Sequence, residues 1–222
     1  MRPLPAVVIA VVVVSAAAAV GFLAVESRLP EDGGLTGTKA PVPEAAATTA
    51  APEPAVAVRA PSRRGRVLPL AEAIKELDLI KPARAKLADD FTVPTPGGEK
   101  FHLASQRGKV VMINFWATWC PPCLEEMPAM ERLYRRQKDA GFTLVAVSVD
   151  TDPRKVTPFL REHQLTFPVG LDPKMELAST YAVRALPSSF MVGRDGTLIA
   201  LAVGPRHWDG DAAQSLIEGM AR

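Results

Sequence analysis

The pattern of apolar and polar positions changes character three times along the chain. From Ala6 to Val25, AVVIAVVVVSAAAAVGFLAV carries no charge and no polar face. At 1.5 Å rise per residue, a helix of this length spans about 30 Å, the thickness of the hydrocarbon layer. The pattern therefore predicts a membrane anchor within residues 1–29. A cleaved signal peptide competes with it, because an A-x-A site can be drawn at Ala17–Ala19. Signal cores stop at about 7–15 apolar residues, whereas this run continues through Phe22 to Val25. From Pro30 to Arg66 the pattern dissolves into Pro, Ala, Thr and Gly, a composition that cannot offset its ordering entropy. Residues 30–66 read as an extended tether. In the lead-in, 67–86, Leu70, Ile74 and Leu77 fall on one stripe and predict a short helix over Leu70–Ile80. The stripe leaves open whether that helix packs on the globular part of the chain.

From residue 87 the periods alternate between two and 3.6, which marks one globular domain over 87–222. DDFTVPTPGGEKFHL predicts two short strands around a Pro-Gly-Gly turn. Strand 109–115, helix 121–139, strand 142–149 and helix 153–163 come next, then a short strand 167–169 and helix 174–181. Strands 188–192 and 197–203 form a hairpin around Arg194-Asp195-Gly196, and helix 210–221 closes the pattern. Strands alternating with helices, with two hairpin-linked strands at the end, predict an α/β sandwich on a mixed sheet. There are no internal repeats.

Composition narrows the partners. The net charge is +2, aromatics are 6%, and no basic run is interleaved with aromatics, so the chain has no nucleic-acid footprint. Arg2 on one side of the apolar run faces Arg28 and Lys39 on the other, a nearly balanced count that does not set orientation.

The chemistry lies in NFWATWCPPCLEEMP, residues 114–128, which holds both cysteines of the chain. Strand 109–115 is apolar except for Asn114, as a strand buried on both faces requires. Cys120 then stands where a central strand hands over to a helix, with Pro121 at the first helical position. As N-cap, its sulfur would meet the amide of Cys123 and the positive end of the helix dipole, both of which favour the nucleophilic thiolate. Cys120 is thus expected to be the exposed attacking thiol and Cys123 the shielded resolving one. Two other readings compete. A structural staple across so short a ring constrains the unfolded chain little. A zinc site wants four ligands, and His102, His163 and His207 are isolated and far apart in sequence. Redox exchange is the reading the spacing favours.

VVMINFWATWCPPCLEEMP, then VAVSVD, TFPVGLDP, YAVRALPSSFMVGRDG and VGPRHWDG, resemble the TlpA/ResA group of membrane-anchored thioredoxin-like proteins. That group includes the thiol reductases of cytochrome c maturation. The resemblance covers residues 87–222 and implies a thioredoxin-like sandwich. It implies no cofactor and no metal, only a redox-active Cys120–Cys123 disulfide. Pro187 matches the family's cis-proline, and the backbone of Leu186 beside it would pair with a client strand. Trp119, Pro121 and Pro122 would form the contact surface around the sulfur, while Trp116 is a candidate core residue. Glu126 matches an acidic residue one helical turn past Cys123, where a carboxyl with a raised pKa could relay the thiol's proton. Glu125 reads as solvated. Asn114 stands where thioredoxin has a buried aspartate, which transfers that task to Glu126. Pro128 matches a family proline expected to kink the helix. Tyr181, His163, His207 and Trp208 carry no assigned chemistry.

The resemblance also implies a reductant outside the cytoplasm, anchored once in the bacterial cytoplasmic membrane with its soluble domain on the periplasmic or outer side. Because the apolar run lacks cysteine, the chain cannot itself carry thiol electrons across a bilayer. A separate membrane donor, DsbD- or CcdA-like, is expected to recharge it. The expected clients are proteins with oxidised cysteines, such as apocytochrome c or copper-site proteins of cytochrome oxidase. Two alternatives share the fold. A copper chaperone of this fold uses CxxxC with a distal His, whereas this chain has CxxC. A thiol peroxidase carries P-x-x-x-T/S-x-x-C, whereas Ile113 and Ala117 occupy the Pro and Thr/Ser positions before Cys120.

Overall fold

The computed structural model describes residues 65–222. The expected anchor and tether up to residue 64 lie outside the described residues, and among the described ones no helix is long and apolar enough to cross a membrane. Seven strands and five α-helices follow the predicted order. The hairpin β1 (Thr92–Pro94) and β2 (Lys100–His102) turns through Gly98 at φ +87, a left-handed conformation that glycine adopts without strain. The central strand β3 (Val110–Trp116) leads into α2 (Pro121–Gln137), and β4 (Phe142–Ser148) into α3 (Val156–Glu162). Then come β5 (Val169–Leu171), α4 (Glu176–Thr180), β6 (Ser188–Val192), β7 (Leu198–Val203) and α5 (Asp211–Met220). The main sheet has the order β5-β4-β3-β6-β7, with β3, β4 and β5 parallel and β6 and β7 antiparallel to their neighbours. It is the mixed sheet the hairpin-linked last strands predict.

All seven residues of β3 and all seven of β4 are buried, as central strands covered on both faces must be. Alternate residues of β3 serve opposite faces. Asn114 and Trp116 look toward the helices: Asn114 bonds Glu126 of α2, and the Trp116 ring lies 5.1 Å from Phe159 of α3. Phe115 faces the other way, 5.7 Å from Tyr181 and 5.8 Å from Phe190. Tyr181 also meets Phe91 edge-on, and its hydroxyl donates to the Asp89 carbonyl at 2.6 Å. The β1–β2 hairpin leans on the sheet at Gly170, where a Cβ would lie 2.5 Å from Val93.

The lead-in belongs to this core. Helix α1 (Leu70–Glu76) is shorter than the stripe predicts, because the chain turns left-handed at Asp78 (φ 49) and stops it. Its Ala73 and Ile74 are buried together with the following Leu77 and Leu79, and Leu70 packs on the Gly219 backbone of α5. A helix of two turns cannot hold itself in water, so this packing is what forms it. Beyond it the chain runs along the outer edge of β7. Ile80 exchanges both backbone hydrogen bonds with Leu201 at 2.8 and 2.9 Å, and Lys86 and Ala88 bond Leu198 and Gly196. An otherwise bare sheet edge is thereby covered. Because α1 shares the core, Ile74→Ala is expected to destabilise the whole domain by about 2–5 kcal/mol. Denaturant unfolding of residues 65–222 checks this: one cooperative transition at lower denaturant is expected, and a separate early transition of the lead-in would contradict it.

Candidate active site

The loop between β3 and α2 is held from beneath. Asp150, just past the end of β4, accepts from the Thr118 amide at 3.0 Å and the Thr118 hydroxyl at 2.7 Å. The Ser148 hydroxyl donates to the same carboxylate at 2.7 Å. This fixes the backbone two residues before Cys120. Cys120 is the N-cap of α2, as expected, and Pro121 and Pro122 open the helix where a missing N–H costs nothing.

The cap differs from expectation in one respect. The Cys120 sulfur accepts no helix amide, because it is bonded to Cys123 in a disulfide whose Cα atoms lie 5.3 Å apart. The Cys120 carbonyl takes that place, accepting from the amides of Cys123 at 3.0 Å and Leu124 at 3.2 Å. Cys120 is also less open than predicted, at 4% exposure against 0% for Cys123. What Cys120 reaches is an apolar groove of about 440 Å³, lined in part by Trp119, Pro121, Pro122, Met175 and Leu186. Trp119 stands at its edge, 64% exposed, while Trp116 is core. The Leu186–Pro187 peptide is cis, as the resemblance implies, and Leu186 also lines the groove. The predicted contact residues therefore converge around one sulfur, with Pro187 buried behind them.

Glu126 is buried to 3% exposure, whereas Glu125 faces solvent. Three donors meet the Glu126 carboxyl. Asn114 Nδ2 donates to Oε1 at 2.8 Å, the Trp208 indole N–H to Oε2 at 2.9 Å, and the Arg206 amide to Oε2 at 3.1 Å. Asn114 directs the same nitrogen to Ser189 Oγ at 2.9 Å, while its own buried Oδ1 has no partner. Burial pushes the Glu126 pKa up to about 7, and the three hydrogen bonds and the Arg206 charge oppose it without cancelling it. The carboxyl is thus poised between its two forms near neutrality. A second cavity of about 200 Å³, lined by Glu125, Glu126, Pro205, Arg206 and His207, meets it from the side of the β7–α5 loop.

Trp208 and Arg206 are the residues the sequence leaves without chemistry. Trp208 is fully buried, and its indole nitrogen has Glu126 as its partner. A tryptophan in a loop of otherwise polar and small residues was the available signal, since a buried indole N–H seeks an acceptor. His102 sits on β2 beside Thr92, His163 against Phe159, and His207 at the rim of the second cavity. Among the described residues, no three His, Cys, Asp or Glu side chains group as a metal site. Pro128 lies inside α2, which runs on through it.

The sequence pattern of the AhpC/TSA family matches residues 85–201. A protein named thiol-disulfide oxidoreductase ResA from Bacillus anthracis is 38% identical over 119 residues, 54% of this chain and 69% of that protein. The ResA of Bacillus subtilis (strain 168) is 33% identical over 117 residues, 53% of this chain and 65% of that protein. Among solved structures, a thiol:disulfide interchange protein of the thioredoxin family from Chlorobium tepidum TLS superposes with a TM-score of 0.56 at 28% identity. That match covers 64% of this chain and 99% of the other. The family pattern spans more than half of the chain, and the ResA relatives carry the same chemistry in their name. The chain therefore belongs to the AhpC/TSA family, as a thioredoxin-like thiol–disulfide oxidoreductase of the ResA/TlpA type whose CxxC pair is Cys120–Cys123.

Proposed function

We propose that this protein is a membrane-tethered reductase of disulfides in client proteins, working outside the cytoplasm. The observation that carries the exchange chemistry is the buried Glu126 carboxyl one helical turn past the shielded sulfur of Cys123, its pKa pushed up to about 7 by burial, and the direction towards reduction follows the family likeness. In the reduced enzyme the Cys120 thiolate attacks one sulfur of the client disulfide, and the other client sulfur leaves as a thiolate that takes a proton from water. Cys123 then passes its proton to the Glu126 carboxylate and attacks Cys120 Sγ. The second client sulfur leaves, two electrons have moved to the client, and the enzyme holds the Cys120–Cys123 disulfide. Recharging reverses the sequence: a donor thiolate attacks Cys120 from the groove, and protonated Glu126 returns its proton to the leaving Cys123 sulfur. A carboxyl near pH 7 suits both directions, because proton transfer is most effective when the carrier titrates at the working pH.

The apolar run at 6–25 supports the tether, and the likeness to membrane-anchored thiol reductases supports a place in the bacterial cytoplasmic membrane with the domain on the outer or periplasmic side. The donor is a separate membrane protein, since the run has no cysteine of its own, and the family likeness points to one of DsbD or CcdA type. The clients are apocytochrome c or the copper-site proteins of cytochrome oxidase. An apolar groove beside the reacting sulfur favours a client whose cysteine is flanked by apolar residues in an extended segment.

Three outcomes test these parts separately. Cys123→Ser is expected to leave clients covalently held on Cys120, seen as a dithiothreitol-sensitive band shift, and Cys120→Ser to abolish both the band and disulfide reduction. Reduction that survives Cys120→Ser would rule the attack scheme out. For the oxidised protein, the rate constant per thiolate for reduction by dithiothreitol is expected to fall as pH rises through about 7, where Glu126 loses its proton. Glu126→Gln removes that inflection and slows the reaction below pH 7 by about 10²-fold, measured by stopped-flow tryptophan fluorescence; an unchanged profile refutes the proton role. The full chain is expected to stay with membranes after carbonate extraction and to be cut by protease added to the outer face. Recovery in the soluble fraction contradicts the tether.

A further inference from the structure

Arg206 makes contacts out of proportion to a surface arginine. Its Nε donates to the Leu77 carbonyl at 2.7 Å and its Nη2 to the Asp78 carbonyl at 2.9 Å, the carbonyls of the α1 C-cap and of the residue after it. Nη1 reaches back to the Pro205 carbonyl at 2.9 Å, Val203 at 3.2 Å and Gly204 at 3.3 Å. The planar fork thus ties the end of the lead-in helix to the loop that leaves β7. The C-cap and the residue beyond it offer carbonyls outside the helix ladder, acceptors that the planar guanidinium can fill together in only one orientation. The same loop aims two donors at one oxygen. The Arg206 amide and the Trp208 indole both meet Glu126 Oε2, and the Trp208 amide bonds the Arg206 carbonyl at 3.1 Å, closing the turn between them.

We infer that Arg206 is a positioning residue for Glu126: by clamping the 203–208 loop to the end of α1, its guanidinium holds the Arg206 amide and the Trp208 indole on the carboxyl. The lead-in helix is then part of the machinery that tunes the proton carrier. This rests on the proton role proposed for Glu126, but its readout does not. The groups facing that carboxyl are few. Asn114 comes from β3, Cys123 and the solvent-facing Glu125 from α2, and Arg206, His207 and Trp208 from the loop. Asp78 at the end of α1 is paired with Arg206. Removing the Arg206 charge alone would also raise the Glu126 pKa, so charge and clamp must be separated.

Arg206→Lys does so, keeping the charge and losing the fork. The titration of Glu126 is followed directly in the oxidised protein, by carbon-13 NMR of labelled Glu side chains and by the nitrogen-15 shift of the Trp208 indole. If the clamp acts, Arg206→Lys raises the Glu126 midpoint by about one pH unit, as losing a hydrogen bond to a charged group does. Trp208→Phe, which leaves the arginine contacts in place, raises it similarly, and the double variant goes little further because both act through one loop. A wild-type midpoint in Arg206→Lys, or full additivity in the double variant, overturns the inference. Should Arg206→Lys fail to fold, Arg206→Gln is read only through its cycle with Trp208→Phe: the effect of the lost charge adds to that of the lost indole, so full additivity overturns the inference, whereas a shortfall from additivity reports the clamp. Glu126→Gln kinetics judge the proton role independently, so either idea can fall while the other stands.

Discussion

A carboxyl enclosed by a protein core has to be answered by donors placed before it arrives, and in this domain those donors come from two stretches of chain that close on a carboxyl held by a third. Asn114 is set by the central strand, Glu126 by the long helix, and the Arg206 amide and Trp208 indole by the loop entering the last helix. Asn114 is 12 residues from Glu126 but Trp208 is 82 residues away, so the arrangement exists only when sheet, helix and loop are all docked. An uncompensated carboxylate in such a place would cost several kcal/mol. With three donors the cost is reduced but not removed, and the remainder appears as a group that gains and loses its proton near neutrality. The chemical usefulness of the site follows from incomplete compensation.

The same packing separates the two sulfurs by role. Cys123 has no exposure at all, and Cys120 has little, yet only Cys120 borders the groove. Reactivity is therefore directed by which face of the disulfide a thiol can approach, more than by general openness. Trp119 and Leu186 both line that approach. Asp150 holds the Thr118 backbone, so the loop presenting Trp119 is anchored two residues before the reacting sulfur.

The order of elements was legible from periodicity because β3 and β4 are almost wholly apolar runs, set apart from the helical pattern of the segments that follow each of them. The cysteine pair was legible because its chemistry depends on local spacing at a strand-to-helix turn, whereas Glu126 and Pro187 were singled out by the family resemblance, since a lone helix glutamate or a proline beside a strand carries no signal of its own. Three things were not legible. Trp208 lies 82 residues from Glu126, and nothing in a single sequence ties an indole to a particular carboxyl at that distance. Cys120 reads as exposed from its place at a helix start, but the walls that cover it come from residues after β4 and around Pro187. The lead-in looks marginal alone, since its stability comes from α5 and from the edge of β7, partners far along the chain.

The segment lying along the outer rim of β7 has a consequence for an enzyme whose substrates are other polypeptides. Extended chains adhere to open sheet margins without regard to what they carry, and a margin left bare would collect them indiscriminately. Residues 80–88 occupy one margin, and the opposite one, β5, offers only three residues with the hairpin leaning over it. A visiting chain is left with the hollow beside the reactive sulfur as its main foothold, so selectivity begins with what the rest of the surface refuses to hold.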